Sequence, residues 1–258
     1  MSDSEHEPDA VARRYARRAV TDRYSLLQPD VWQTVQERQR AMLKLFVRLG
    51  WTDLATRRLL EVGCGSGGNL QELLRFGFAP QHLTGAELLP ERVEQARAVL
   101  PASVTLHAGD ATRLQIAAES QDIVFAATVF SSLLDDAFQQ RLADAMWRWV
   151  KPGGGVLWYD FTYDNPRNAD VRGVPLARVR ALFPHGGIDA RRVTLAPPIS
   201  RRVCRISPAA YGLFNALPFL RTHLLCWIAK PVFEPFAAQP GVMTTNAQVD
   251  ALRDIEGV

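Results

Sequence analysis

Cysteine is scarce in this chain. Cys64, Cys204 and Cys226 are scattered through 258 residues, with no metal-ligand spacing and no even-numbered framework. That excludes a disulfide scaffold, gives no reason to expect a metal, and fits a reducing, cytoplasmic setting. Charge of one sign is also lacking. A net charge of +3, from 30 basic and 27 acidic residues, is too small to imply a nucleic-acid partner. The arginines near the start (Arg13, Arg14, Arg17, Arg18, Arg23) read as a local feature. Long apolar runs are missing too. The most apolar late stretch, residues 213–228, is interrupted by Asn215, Pro218, Arg221 and His223 and falls short of a membrane span. Peripheral membrane contact stays open. The opening MSDSEHEPDA is acidic and polar, so no leader is expected and residues up to about Glu7 are expected to be disordered. Internal repeats and low-complexity linkers are absent.

What is present is an ordinary globular composition, 47% hydrophobic, and enough length for one full core. The organising stretch is residues 57–70, RRLLEVGCGSGGNL. A short apolar run (Leu59, Leu60, Val62) carries one acid, Glu61, then breaks into Gly63, Gly65, Gly67 and Gly68. It resumes with helical spacing at Leu70, Leu73 and Leu74. This is a buried strand turning tightly into a helix, with glycines that let a ligand lie against bare backbone. The helix N-terminus adds unpaired N–H groups.

Helical patterns precede it at 8–20 and 29–49, the second with Pro29 in its first turn and Gly50 past its end. These helices either cover the pocket that the glycines open or simply pack on the core. Strand and helix then alternate: strands at 82–87, 104–107, 122–128 and 156–161, helices at 90–100 and 136–150. The alternation predicts an α/β fold, a doubly wound, mostly parallel sheet that binds ligands at its strands' carboxyl ends. The last third is less regular, with helical patterns at 176–183 and 209–220 and strand-like ones at 191–195 and 223–229. The division expected is a helical extension over 1–50, a main domain over 51–231 with insertions around 162–220, and a tail over 232–258.

Two cofactors compete for the loop. Gly63, Gly65 and Gly68 satisfy the dinucleotide pattern, and Glu87 lies where a ribose-binding acid belongs. A nicotinamide-dependent oxidoreductase, NAD(P)-linked, is one reading. Against it, Glu61 is an acid inside a buried strand that needs a partner; a cationic ligand group suits it and a pyrophosphate does not. Asp110 adds another acid, within Gly-Asp-Ala, suited to an amine donor.

The series EVGCGSG, an acid ending the second strand, GDA, DIVF and WVKPGGG before a fifth strand resembles the class I S-adenosylmethionine-dependent methyltransferases. The resemblance covers residues 57–161 and extends to THLLCWIAKP, which looks like that family's closing antiparallel strand; YDFTYDNPRN is similar to bacterial polysaccharide-cluster members. It implies a seven-stranded Rossmann-like sheet and S-adenosyl-L-methionine as cofactor. Glu61 with the backbone of Gly63, Cys64 and Gly65 would then hold the methionine part. Glu87 would accept from the ribose hydroxyls, Leu88 would pack on adenine, and Asp110 with Ala111 would read its edge. Ala127 and Thr128 would lie by the sulfonium methyl. The residue-level alternatives are an arginine-paired acid for Glu61, a loop acid for Glu87, a helix cap for Asp110 and a small filler for Cys64.

Methyl transfer asks the protein to align donor and acceptor and, for a hydroxyl, to remove one proton. Asp160 is the foremost base candidate, with Asp164, Asp135, Asp136, His107 and His185 behind it; the Asp135-Asp136 pair also reads as a helix cap. The NPP[YF] tetrapeptide typical of amino-group and DNA-base methyltransferases is absent, with ATVFSS in its place, which argues against a nucleobase or amide nitrogen; the acceptor expected is a hydroxyl of a small molecule or glycan. Acceptor contacts are expected from Tyr15, Arg17, Arg18 and Tyr24, from residues 160–172, and from 176–220, including Arg167, Arg172, Arg178, Arg201, Arg202 and Tyr211. Oligomeric state is not legible, and a non-catalytic ligand-binding member of the fold is the remaining alternative.

Overall fold

The computed structural model describes residues 6–17, 25–166 and 168–232. Arg18, Arg23, Tyr24, Arg167 and the tail beyond Val232 lie outside the described residues. Helices α1 (Glu7–Ala16) and α2 (Pro29–Arg48) precede β1 (Leu59–Val62), α3 (Gly68–Phe76), β2 (Leu83–Glu87), α4 (Pro90–Val99), β3 (Thr105–Ala108) and β4 (Gln121–Ala127). Then come α5 (Asp136–Trp149), β5 (Val150–Phe161), α6 (Leu176–Leu182), β6 (Gly187–Leu195), α7 (Pro197–Ile206), α8 (Tyr211–Asn215) and β7 (Arg221–Ala229).

The seven strands form one sheet in the order β3-β2-β1-β4-β5-β7-β6. The first five are parallel, while β7 runs antiparallel to both β5 and β6. Side-chain alternation sorts its two faces. Leu60, Val62, Val124, Ala126, Val156 and Trp158 face one core layer, with α5 and α6. Leu59, Ile123, Phe125, Leu157 and Tyr159 face the other, with α2 and α3. The same parity puts Glu61 on the α2 side and Asp160 on the α5 side. Both layers are buried, which is why the strands read as apolar runs without polar alternation.

Four expectations change. Glu7 is not disordered: it opens α1 and is buried, its carboxylate accepting from Leu134 N at 2.7 Å and from Arg14 at 2.6 Å. The fifth strand begins at Val150, because Gln121 pairs with Val150 while Ile123 pairs with Gly155, so residues 151–154 bulge out of a strand that continues past them. The sixth begins at Gly187 rather than at 191. Residues 209–220 are not one helix, since Pro218 restarts the chain in a short turn after α8. The regular helix there is α7, whose opening proline pair and buried Ser200, Val203 and Cys204 were its signal. Among the described residues, no helix is long and apolar enough to cross a membrane.

Gly85 is one strand position where a side chain would crowd its neighbours. A Cβ there would lie 2.7 Å from Cys64 Sγ and 2.8 Å from Leu106 Cδ2. Gly85→Ala is expected to cost about 1–3 kcal/mol by overpacking, read as a fall in thermal midpoint; an unchanged midpoint would show that the neighbours yield freely.

Candidate functional site

The carboxyl ends of β1, β2 and β4 open into a cleft with a cavity volume of ≈ 160 Å³ that is partly open to solvent. Its lining includes Gly63, Glu87, Leu88, Asp110, Ala111, Ala127 and Thr128, so seven of the ten cofactor candidates come together. Glu61, Cys64 and Gly65 do not line it.

Each wall has a local cause. Gly63 has φ +68°, and a Cβ on it would sit 2.6 Å from Val129 Cγ2, so the tight turn at the end of β1 requires glycine. Gly63 and Cys64 both donate to Ala86 O, fastening the loop to β2. Glu87 ends β2 with both oxygens engaged: Oε2 accepts from Gly65 N at 2.9 Å and Oε1 from Leu89 N at 3.0 Å. Each oxygen keeps a further lone pair for a ligand hydroxyl. Asp110 does cap the turn after β3, where Oδ1 accepts from Thr112 N and Thr112 Oγ1 at 2.8 Å. Its other oxygen stands 3.7 Å from Arg113 Nε. Thr128 closes β4 at φ +54°, with its N–H on Tyr159 O. A non-glycine residue in the left-handed region is a strained position of the kind that gathers at functional sites.

Glu61 lies beneath the loop, fully buried, with Oε1 accepting from Asn69 Nδ2 at 2.6 Å and Oε2 without a partner. Burial pushes its pKa up to about 8, opposed by the Asn69 hydrogen bond and by the Arg38 guanidinium. Arg38 does not touch it; it donates to Asn69 Oδ1 and to Glu72 and stacks over the Tyr159 ring. The arginine-paired alternative for Glu61 therefore holds only through Asn69. Cys64 is buried against Gly85, and burial raises its thiol pKa well above the ordinary value, the state of a filler.

Asp160 is not where a base was expected. It is buried on the α5 side, with Oδ2 accepting from Ser131 N at 3.0 Å and Oδ1 from Phe161 N, and it does not line the cleft. Burial pushes it up to about 7. Asp135 caps α5 through Ala137 N and Phe138 N. Asp164 holds Gly173 N, and His185 is exposed. Arg172 pairs with Asp136, and Arg178 donates to Gln139 and to Asp136 O, so both are tied to α5. Tyr211 is buried with its hydroxyl on Glu37.

The residues missed by sequence reasoning sit on the two leading helices. Pro8 and Val11 of α1 line the cleft beside Tyr15, which the sequence had already placed among the acceptor contacts, with α1 fastened by Glu7 and by Arg14 donating to Ser132 O at 3.0 Å. On α2, Glu37 accepts from Thr194 N and Tyr211, and Arg38 reaches the Glu61 network. The readable signal was a charged pair on the apolar face of α2 that also carries Met42 and Phe46.

A model of the methyltransferase domain matches residues 59–154, from the first strand through the glycines before the fifth. By this match, residues 59–154 form a methyltransferase domain. It is 33% identical over 132 residues to the phthiotriol/phenolphthiotriol dimycocerosates methyltransferase of Mycobacterium leprae, an alignment covering 50% of this chain and 47% of that protein. The chain thus spans about half the length of the curated relatives it matches. Among solved structures, an S-adenosylmethionine-dependent methyltransferase from Mesorhizobium loti aligns with TM-score 0.53 at 16% identity, covering 74% of this chain and 95% of that one. The [4+2]-cyclase SpnF aligns with TM-score 0.54 at 17% identity, covering 76% and 83%. At such identities the methyltransferase domain shares a fold with both.

The pKa shifts fix a stability prediction. Glu61 is raised, so the unfolded chain loses this proton above about 4.5 while the folded domain holds it to about 8. Its contribution is complete below pH 4.5 and is lost as pH rises to 8; Asp160 acts in the same direction up to about 7. His223, held down to about 4 by burial, acts oppositely as pH falls below 6.5. Glu61→Gln removes the first effect. Its unfolding free energy is expected to fall less than the wild type's between pH 5 and pH 8, by on the order of a few kcal/mol, read from melting curves across that range. Parallel melting curves in that window would refute the assignment.

Proposed function

We propose that the protein is an S-adenosylmethionine-dependent methyltransferase that methylates a hydroxyl on a small-molecule or glycan acceptor. The observation that carries this reading is Glu87, a carboxylate at the end of β2 held by two backbone N–H groups on the wall of the cleft. A vicinal ribose diol is the natural partner for two such oxygens. The rest of the wall fits the same nucleoside. Leu88 and Ala111 offer apolar faces to adenine, and the second oxygen of Asp110 accepts from its amine. Gly63 leaves backbone on the cleft wall for the methionine part. Glu61, held protonated up to about pH 8 and with no partner on Oε2, can give up that proton when a sulfonium or an ammonium lies above the loop, a response that a pyrophosphate would oppose.

When bound, the cofactor supplies a methyl group on a good leaving group. The chain's own task is alignment and exclusion of water. In this reading α1 serves as a lid, its Pro8, Val11 and Tyr15 closing the cleft from above the β4 turn. Asp160 is a positioning residue, fixing Ser131 and with it the turn after Thr128. The oxidoreductase alternative is disfavoured by the antiparallel β7 between β5 and β6, which departs from the parallel dinucleotide-binding order. A second reading, a lipid-borne hydroxyl as acceptor, is favoured by the Mycobacterium leprae relative, whose name gives a dimycocerosate acceptor.

Incubation with the cofactor and panels of sugar, nucleotide-sugar and lipid-linked alcohols, read by product mass, tests the reaction; gain of one methyl on an alcohol is expected. Glu87→Ala is expected to weaken cofactor binding by about 1.5–3 kcal/mol, the worth of hydrogen bonds to a charged group. An unchanged dissociation constant would remove Glu87 from the ribose role.

A further inference from the structure

Residues 190–232 contain no acidic side chain and seven cations, Arg191, Arg192, Arg201, Arg202, Arg205, Arg221 and Lys230. Within them, the fifteen residues 206–220 carry no ionisable group other than Tyr211. That uncharged stretch is not folded away. Ile206 is 89%, Leu213 73% and Phe219 74% exposed, with Phe214 and Leu217 partly so. The side chains of Arg201, Arg202 and Arg205 stand on the outer face of α7, exposed and without an ion pair among the described residues, while Val203 and Cys204 face inward. A second apolar group joins them. Leu27, 91% exposed, and Trp32 lie at the start of α2, which packs on this insertion through Thr34 and Glu37 on Tyr211 and brings Asp30 near Cys204.

Topology places this surface beside the cleft. The insertion leaves β6 at Leu195 and returns into β7 at Arg221, and His223 of β7 pairs with Phe161 at the carboxyl end of β5. The other end of α2 is tied by Arg48 to Asp189 near the start of β6, so its exposed N-terminal turn also points to the carboxyl edge. Exposed aromatic and aliphatic side chains flanked by unpaired arginines match the boundary of a bilayer, apolar groups entering between the lipids and guanidinium groups on their phosphates.

We propose that this face, residues 201–221 with the start of α2, docks on an anionic membrane surface and holds the mouth of the cleft against it. Docking is independent of methyl transfer, because it needs neither cofactor nor acceptor.

The test is sedimentation of the full chain with phosphatidylcholine vesicles with and without phosphatidylglycerol. Binding is expected only with the anionic lipid and is expected to weaken as salt is raised. Arg201→Glu/Arg202→Glu/Arg205→Glu is expected to weaken it on the order of 100-fold, and Leu213→Ser/Phe219→Ser by at least ~10-fold, both with wild-type melting temperature. Equal binding to neutral vesicles, no binding by the wild type, or variants that bind as well as it does would overturn the proposal. So would a concentration-dependent dimer that Leu213→Ser/Phe219→Ser dissolves, which would make the face a contact between copies of the chain.

Discussion

Glu87 is the group on which the carboxyl edge depends. A carboxylate ending a central strand is costly to bury unless its oxygens are satisfied, and here they are met by the N–H groups of Gly65 and Leu89. One side chain therefore fixes the glycine loop after β1 and the turn into α4 together. Its partners are backbone, so the geometry survives changes in neighbouring side chains. The same two oxygens keep lone pairs able to accept from a ligand, which is the recognition role we propose for this residue.

Around that point two helices act from opposite faces. α1 is fastened over the turn after β4 by Glu7 and Arg14, both engaging backbone groups of residues 132–134. α2 is fastened beneath by Glu37, which holds Thr194 and Tyr211, and by Arg38, which reaches Asn69 and Glu72. The buried acid Glu61 is thus held at one step from a cation, close enough to feel its field and without a direct ion pair. A direct pair would neutralise the loop; a protonated or half-compensated acid leaves it responsive to a cationic ligand.

The parallel half of the fold was legible because strands buried on both faces write themselves as short apolar runs between helical periods, and because a turn with positive φ at residues 63, 65 and 67 calls for glycine. Glu87, Leu88, Ala127 and Thr128, which the family resemblance implied, lie together in the cleft at the ends of β2 and β4. Three things were not legible. The bulge of residues 151–154 looks like a turn because its proline and glycines are turn residues, and only pairing with Gln121 and Ile123 shows the strand running through. The placement of Asp160 depends on strand parity, which turns its side chain to the α5 face and onto Ser131, away from the cleft. The network of Glu37 and Arg38 with Glu61 joins residues far apart in the chain, and sequence spacing carries no information about which buried charges meet.

The central claim is that the loop and the three acids around it select a sulfonium nucleoside over a dinucleotide. Calorimetric titration of the purified chain with S-adenosylmethionine and, separately, with oxidised and reduced nicotinamide dinucleotides tests it most directly. Saturable one-to-one binding of S-adenosylmethionine and none of either dinucleotide is the result expected; binding of a dinucleotide without binding of S-adenosylmethionine would contradict it.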